Sequence, residues 1–354
     1  MALRCPSCDR RFEDRWRCTC GSPLRFETRP TPSEPPDAID PRDGLWTFEE
    51  FFPGTGSHRV TLGEGMTPLV DAPGWDASFK LEYVSPTGSF KDRGATTTIS
   101  RAASLGVDRV LEDSSGNAGL AIATYAARAG IEATIYAPAD AKPAKLDAIR
   151  RTGATLETIQ GDRQAVTDAC LAAVDGGEGW YASHAWNPAF FVGTMTIAFE
   201  IAYQRDWDVP DAVVTPVGHG TLLIGLHDGF AALKSAGWID RVPRLLAVQA
   251  SGVAPIVAAR GGYPGDTRND LAAGVQITES IQRERILGAI AATDGDAITV
   301  SEEPMAAVLT ALHEAGFGCA PTSALGPAGL KRLRECGQLD PDADVIVPLT
   351  GIYR

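Results

Sequence analysis

Ser85-Pro86-Thr87-Gly88-Ser89-Phe90-Lys91-Asp92-Arg93-Gly94 sets one lysine between a turn and the start of a helix. The run 92–105 reads as that helix, ending at Gly106. An amine near positive neighbours or in an apolar pocket loses its proton more easily and attacks carbonyls. Taken singly, Lys91 also reads as a helix-start lysine paired with Asp92. The loops elsewhere in the chain decide between the two.

Working outward, Gly63-Glu64-Gly65-Met66-Thr67-Pro68-Leu69 is a turn leading into a short strand, and Phe79–Tyr83 is a second strand. After the lysine comes a regular alternation. Strands are expected at Val107–Glu112, Glu132–Ala137, Thr155–Ile159, Ala212–Pro216, Leu245–Gln249 and Val345–Leu349. Helices are expected at Ala118–Ala129, Pro143–Thr152, Arg163–Val174, Ala189–Arg205, Leu222–Ala236, Glu303–Ala315 and Leu325–Cys336, with 260–283 irregular. Strands separated by helices of this length specify a parallel sheet with helices on its faces.

Three loops follow expected strands. Ser114-Ser115-Gly116-Asn117-Ala118-Gly119 opens a helix, and Val217-Gly218-His219-Gly220-Thr221-Leu222 opens another. Ligands of open parallel sheets bind at the carboxyl ends of strands, and free N–H groups at a helix start bind anions. The first loop adds the side chains of Ser114, Ser115 and Asn117 and suits a carboxylate or phosphate. The second brings glycines for close backbone approach and suits a phosphate. Leu349-Thr350-Gly351 follows the last strand, where Thr350 could aim a hydroxyl at a ligand.

The remaining features bound the class. Net charge is −13, with six lysines against 26 arginines, which argues against nucleic acid as a partner. Such a composition fits a high-salt source or a GC-rich genome equally. No apolar run approaches the ~20 residues of a membrane span. The first residues carry no apolar signal core, so the expected location is cytoplasmic. Four of the seven cysteines fall within residues 5–20. Cys5, Cys8, Cys18 and Cys20 lie on two short turns and could present four thiolates to zinc, although Cys-x-Cys is tighter than the usual Cys-x-x-Cys. A proline-rich linker follows, then a segment with Trp46, Phe48, Phe51 and Phe52 that is expected to dock on the main body.

In their order, the lysine decapeptide, the Ser114–Gly119 loop, the 217–222 loop and Leu349-Thr350-Gly351 resemble the fold type II pyridoxal phosphate (PLP) enzymes, the tryptophan synthase β-like group. Within it the chain is most similar to the threonine synthases, through Gly63–Leu69 and the decapeptide. The likeness covers roughly residues 60–354 and includes a cysteine ribbon. It implies an α/β fold of two open parallel sheets flanked by helices, with an N-terminal ribbon. The implied domains are a zinc-ribbon-like segment 1–29, a linker 30–44, a large PLP-binding domain 45–98 and 197–354, and a small domain 99–196. Lys91 would carry PLP as a Schiff base and later shuttle protons. Asn117 would bond the cofactor's 3-hydroxyl. Gly218, His219, Gly220, Thr221 and Leu222 would cradle its phosphate, and Thr350 would meet the pyridine nitrogen. Ser114, Ser115 and Gly116 would hold the substrate carboxylate. The implied reaction is O-phosphohomoserine plus water to threonine and phosphate, in a homodimer.

The chain departs from the threonine synthase pattern within Asn187-Pro188-Ala189-Phe190-Phe191-Val192-Gly193-Thr194-Met195-Thr196. Phe190 stands where that pattern has arginine and Met195 where it has lysine. A substrate phosphate needs cationic partners. His184 is a candidate substitute. An ammonia-lyase of the serine/threonine dehydratase type, or a β-replacement synthase forming cysteate or cysteine, is therefore the alternative within the same fold.

Overall fold

The computed structural model describes residues 2–35, 39–54 and 58–352. In chain order it contains β1 (Leu3–Arg4), β2 (Arg11–Phe12), β3 (Arg25–Phe26), β4 (Leu69–Ala72), β5 (Ala77–Lys80), α1 (Lys91–Ser104), β6 (Arg109–Glu112), α2 (Asn117–Ala129), β7 (Glu132–Pro138) and α3 (Pro143–Arg150). There follow β8 (Thr155–Ile159), α4 (Arg163–Asp175), β9 (Trp180–Tyr181), α5 (Pro188–Tyr203), β10 (Ala212–Pro216), α6 (Thr221–Ala236), β11 (Arg244–Ala250) and α7 (Pro255–Ala259). The chain closes with α8 (Arg283–Ala292), β12 (Asp296–Val300), α9 (Glu302–Glu314), α10 (Pro321–Glu335) and β13 (Val345–Pro348). They form two compact units. One is Lys91–Thr194 with Met1–Pro32 and Ala38–Gly65, and the other is Met66–Phe90 with Met195–Arg354.

The first unit holds a four-stranded sheet in the order β8-β7-β6-β9, parallel throughout. β9 was not expected from sequence; two residues are too few to show a period. β6 and β7 are mostly buried, whereas β8 exposes Thr155, Glu157 and Thr158, as suits an edge. Ile99, Val110, Ile122, Tyr125 and Ile135 anchor the core that joins this sheet to α1 and α2. Each such buried side chain contributes about 1.5–3 kcal/mol. α1 is threonine-rich and poor by propensity, yet nearly all of it is buried. Packing therefore holds it, helped by Thr97, whose hydroxyl donates to the carbonyl of Ala189 at 2.8 Å.

Two segments are fastened to this unit by polar contacts. Glu64, 1% exposed, accepts from Trp46 Nε1 at 3.0 Å, from the Tyr125 hydroxyl at 2.7 Å and from the Leu62 N–H at 2.9 Å. That network docks the aromatic stretch Pro41–Phe51, a kinked 3-10 helix. The ribbon is a three-stranded antiparallel sheet, β2-β1-β3. Its Asp14 accepts from Arg101 of α1 at 3.1 Å and from Trp180 Nε1 at 2.7 Å. Trp16 stands edge-on to Tyr181 and Trp186.

The second unit holds a six-stranded sheet in the order β12-β11-β10-β13-β5-β4. The expectation of wholly parallel sheets fails here at one edge, because β4 runs antiparallel to β5. Only a short turn joins the two, and a parallel pairing needs a long crossover. β10 and β13 are buried along their whole length. α7, α8 and β12 were not expected. β5 also stops at Lys80, short of the expected Tyr83, because a 3-10 turn at Glu82–Val84 ends it.

Lys80 is fully buried and donates to the Thr67 carbonyl at 2.6 Å, Gln204 Oε1 at 2.8 Å and Glu200 Oε2 at 2.9 Å. All three ammonium protons thus meet an acceptor. The network ties the backbone at Thr67 to α5.

Candidate active site

Lys91 is the first residue of α1 and is partly buried. Burial lowers its amine from the ordinary 10.5 to about 8, against an opposing pull from Glu112. Roughly a tenth of it is therefore neutral at pH 7, far more than for an ordinary lysine, and the neutral amine is the form that attacks carbonyls. Nζ lies 5.8 Å from the centre of the Phe190 ring. Phe190 packs directly against the helix, where Gly94 offers no side chain to obstruct it. Gly193 meets α1 in the same way; a Cβ there would lie 1.7 Å from the Arg93 carbonyl oxygen.

The Ser114–Asn117 loop joins β6 to α2 as the sequence suggested. Gly116 is the N-cap and no side chain caps the helix, so the first-turn N–H groups are turned to the loop. Ser114 is buried and its hydroxyl accepts the Gly116 N–H at 3.2 Å. Asn117 is exposed at the helix start. A Cβ on Gly119 would fall 1.8 Å from the Ser114 carbonyl oxygen, so only glycine lets the loop fold back on the helix.

Ahead of that loop is a group the sequence reading missed. Glu112 ends β6, is fully buried, and shares a hydrogen bond of 2.7 Å with Nδ1 of His184. Burial and the neighbouring Asp113 push its carboxyl well above the usual range, while Arg163, the His184 N–H and Lys91 pull it back. Asp113 accepts from Thr167, Arg163 and Tyr181.

In the second unit, the Gly218–Leu222 loop joins β10 to α6. Gly220 is the N-cap at φ +79°, and a Cβ there would lie 2.4 Å from Ile286 Cγ1. No side chain caps the 16-residue helix, which leaves an anion-binding end of the kind that holds phosphates. His219 is partly exposed, and its carbonyl accepts from Ser280 at 3.3 Å. Thr350 follows β13, with its hydroxyl 3.2 Å from that of Ser323 in α10. The Phe90 N–H donates to the Thr350 carbonyl at 3.1 Å, and Ser89 bridges to Gly351.

Residues 60–351 match the model of a family described as "Pyridoxal-phosphate dependent enzyme". The chain belongs to the PLP-dependent enzymes. It is similar to the threonine synthase of Methanosarcina acetivorans, 34% identical over 324 residues, covering 87% of this chain and 79% of that one. It is also similar to the threonine synthase of Methanocaldococcus jannaschii, at 31% over 376 residues, 99% and 92% of the two chains. Among solved structures it matches the T.th. threonine deaminase with a TM-score of 0.65 and 27% identity, covering 81% and 92%. PLP is thus the cofactor and the enzyme is a lyase.

Away from these loops, the Sγ atoms of Cys5, Cys8, Cys18 and Cys20 lie within 4.8 Å of one another, close enough to share one metal ion. Hydrogen bonds to Ser22 hold Cys20 down to about 6, which favours the thiolate a metal needs. A cavity of about 180 Å³ sits where the ribbon docks, lined by Trp16, Arg101, Trp180 and Tyr181 among others. Neither Lys91 nor any residue of the Ser114–Asn117 loop lines it. No helix among the described residues is long and apolar enough to cross a membrane.

Proposed function

We propose that this protein is a threonine synthase-like lyase that converts O-phosphohomoserine and water to threonine and phosphate. The observation that carries a lysine-anchored PLP reaction is the amine of Lys91, lowered to about 8 at the head of α1. The substrate follows from the two threonine synthases that the chain matches over most of its length.

PLP, when bound, supplies an electron sink for charge developing on the substrate's carbons. Lys91 holds it through Nζ and, once released, moves protons at those carbons. The uncapped start of α2 supports roles for Ser114, Ser115 and Gly116 in holding the substrate carboxylate and for Asn117 in bonding the cofactor's 3-hydroxyl. The uncapped start of α6 supports Gly218, His219, Gly220, Thr221 and Leu222 as the cofactor's phosphate cradle. Thr350, steadied by Ser323, offers the ring nitrogen a neutral hydroxyl. Such a partner does not force protonation and favours elimination and replacement over transamination.

Phe190 and Met195 favour a second reading. Both are buried and apolar, and a phosphate-bearing substrate wants cations. An ammonia-lyase or β-replacement synthase using a related amino acid needs none, and one structural neighbour is a threonine deaminase. The deciding experiment supplies the PLP-loaded full chain with O-phosphohomoserine and, separately, with threonine and serine. Phosphate release from the first supports the synthase. A 2-oxo acid from the others, without phosphate release, replaces it. The same reading takes the four ribbon cysteines as a structural zinc site, the location as cytoplasmic and the assembly as a homodimer.

A further inference from the structure

Asp113 directly follows β6 and is 3% exposed, a place where an unpaired carboxylate is costly. Donors from two elements satisfy it. Oδ2 accepts from the Thr167 hydroxyl at 2.7 Å and from the Arg163 guanidinium at 3.1 Å, both on α4. Oδ1 accepts from the Tyr181 hydroxyl of β9 at 2.9 Å. A fully satisfied buried network of this kind holds a side chain in one place. The next residue is Ser114, whose hydroxyl accepts the Gly116 N–H at 3.2 Å. Gly119 packs so closely on Ser114 that a Cβ would fall 1.8 Å from its carbonyl oxygen. The loop 114–119 therefore takes its position from Asp113.

Tyr181 has little support from its own sheet. β9 is two residues long, lies outermost, and pairs with β6 at Val110↔Trp180 and Leu111↔Tyr181. The ribbon steadies it from outside. Asp14 accepts from Nε1 of Trp180 at 2.7 Å, and Trp16 meets the Tyr181 ring edge-on at 5.2 Å. Both lie in the ribbon loop 9–17, closed at its base by Cys8 and Cys18, whose Sγ atoms are 3.4 Å apart. One run of contacts thus leads from the cysteine cluster to the loop at the head of α2.

We propose that the ribbon is a positioning element for the substrate: Trp16 seats Tyr181, Tyr181 holds Asp113, and Asp113 sets the loop that takes the substrate carboxylate. Trp16, Tyr181 and Asp113 are positioning residues, acting through that loop. The proposal rests on the loop 114–119 as the carboxylate site, but not on which amino acid is the substrate.

The test uses the PLP-loaded full chain with Tyr181→Phe, which removes one hydroxyl and keeps the ring, and with Trp16→Ala. O-phosphohomoserine is the substrate, or threonine if a 2-oxo acid is released instead of phosphate. An interaction made equally in the ground and transition states shows in KM rather than kcat. Each variant is expected to raise KM by about threefold to tenfold, with kcat and bound PLP within about twofold of wild type. The double variant should raise KM by less than the product of the single effects, because both act on Asp113 through one hydroxyl. Backbone amide exchange over residues 114–120, followed by mass spectrometry without substrate, should quicken by about threefold or more in both variants while β10 and β13 keep wild-type rates. An unchanged KM in Tyr181→Phe overturns the proposal, as do single effects that multiply in full. Wild-type exchange over 114–120 overturns it with or without turnover. Should Trp16→Ala fail to fold, Tyr181→Phe decides alone. Quickened exchange in an enzyme that releases no phosphate from O-phosphohomoserine keeps the ribbon's role and removes the proposed substrate.

Discussion

A Cβ placed on Gly94 would lie 2.3 Å from Cε1 of Phe190. The ring therefore rests directly on the backbone of α1, one turn from Lys91. Gly94→Ala must displace a fully buried ring, an overpacking change that costs about 1–3 kcal/mol. The expected result is a lower urea midpoint with an unchanged slope.

On the proposed role of Lys91, covalent attachment of PLP depends on its neutral amine. With the group at about 8 rather than 10.5, the initial rate of attachment should climb with pH up to about 8 and level off above it. An ordinary lysine would keep climbing for about two further units. Borohydride trapping followed by mass spectrometry reads this rate and assigns the modified residue. Lys91→Ala should give no trapped adduct in the peptide that contains residue 91.

Gly220 combines a positive φ with a neighbour that leaves no room for a side chain. Gly220→Ala should strain the loop by roughly 1–3 kcal/mol, felt as weaker PLP binding by about tenfold or more. Equilibrium dialysis of the cofactor measures it. An unchanged affinity would remove this loop as the phosphate cradle.

Lys80 and Glu200 form a fully buried ion pair. Removing one partner strands the other, so Glu200→Ala should cost about 3–5 kcal/mol. The double variant Lys80→Met/Glu200→Leu should recover much of that loss. Urea denaturation of the single and double variants reads the difference.

The four ribbon thiols predict one zinc per chain, measurable by elemental analysis of the protein as purified. Chelation should release the metal and change tryptophan fluorescence, because Trp16 is held against Tyr181 and Trp186. A Cys8→Ser variant with full metal content would remove the site.

Sequence reading succeeded where backbone geometry leaves a mark on residue choice. The loops at 114–119 and 217–222 had to contain glycine, since a Cβ on Gly119 or Gly220 would collide with its surroundings. The strands β10 and β13 had to be apolar because both faces are covered. The reading failed where the determinant is one contact between distant residues. Glu112 is a single carboxyl in a strand, and its partner is 72 residues away. Glu64 likewise looks like part of a turn motif, yet it gathers Trp46 and Tyr125 around one carboxylate. The missed α8 and β12 lie after the irregular stretch, where charged residues among the apolar ones blur both periods. Nor could spacing reveal the antiparallel edge strand β4.

β5 is completed by residue 80 but takes its parallel partner β13 from residues 345–348. The stretch 88–90, immediately before Lys91, pairs with 350–352. During synthesis the first unit's sheet, whose strands all lie between residues 109 and 181, can form while the ribosome is still working. β5 can pair with β4, but its parallel partner and that of the turn ahead of Lys91 come only with residues 345–352. Domains tend to fold as units in the order they are made, so a chain stalled short of β13 would carry an assembled small sheet and a stretch 88–90 without its partner at 350–352. Capacity to hold the cofactor would then appear abruptly once residues 345–352 are made rather than growing with length.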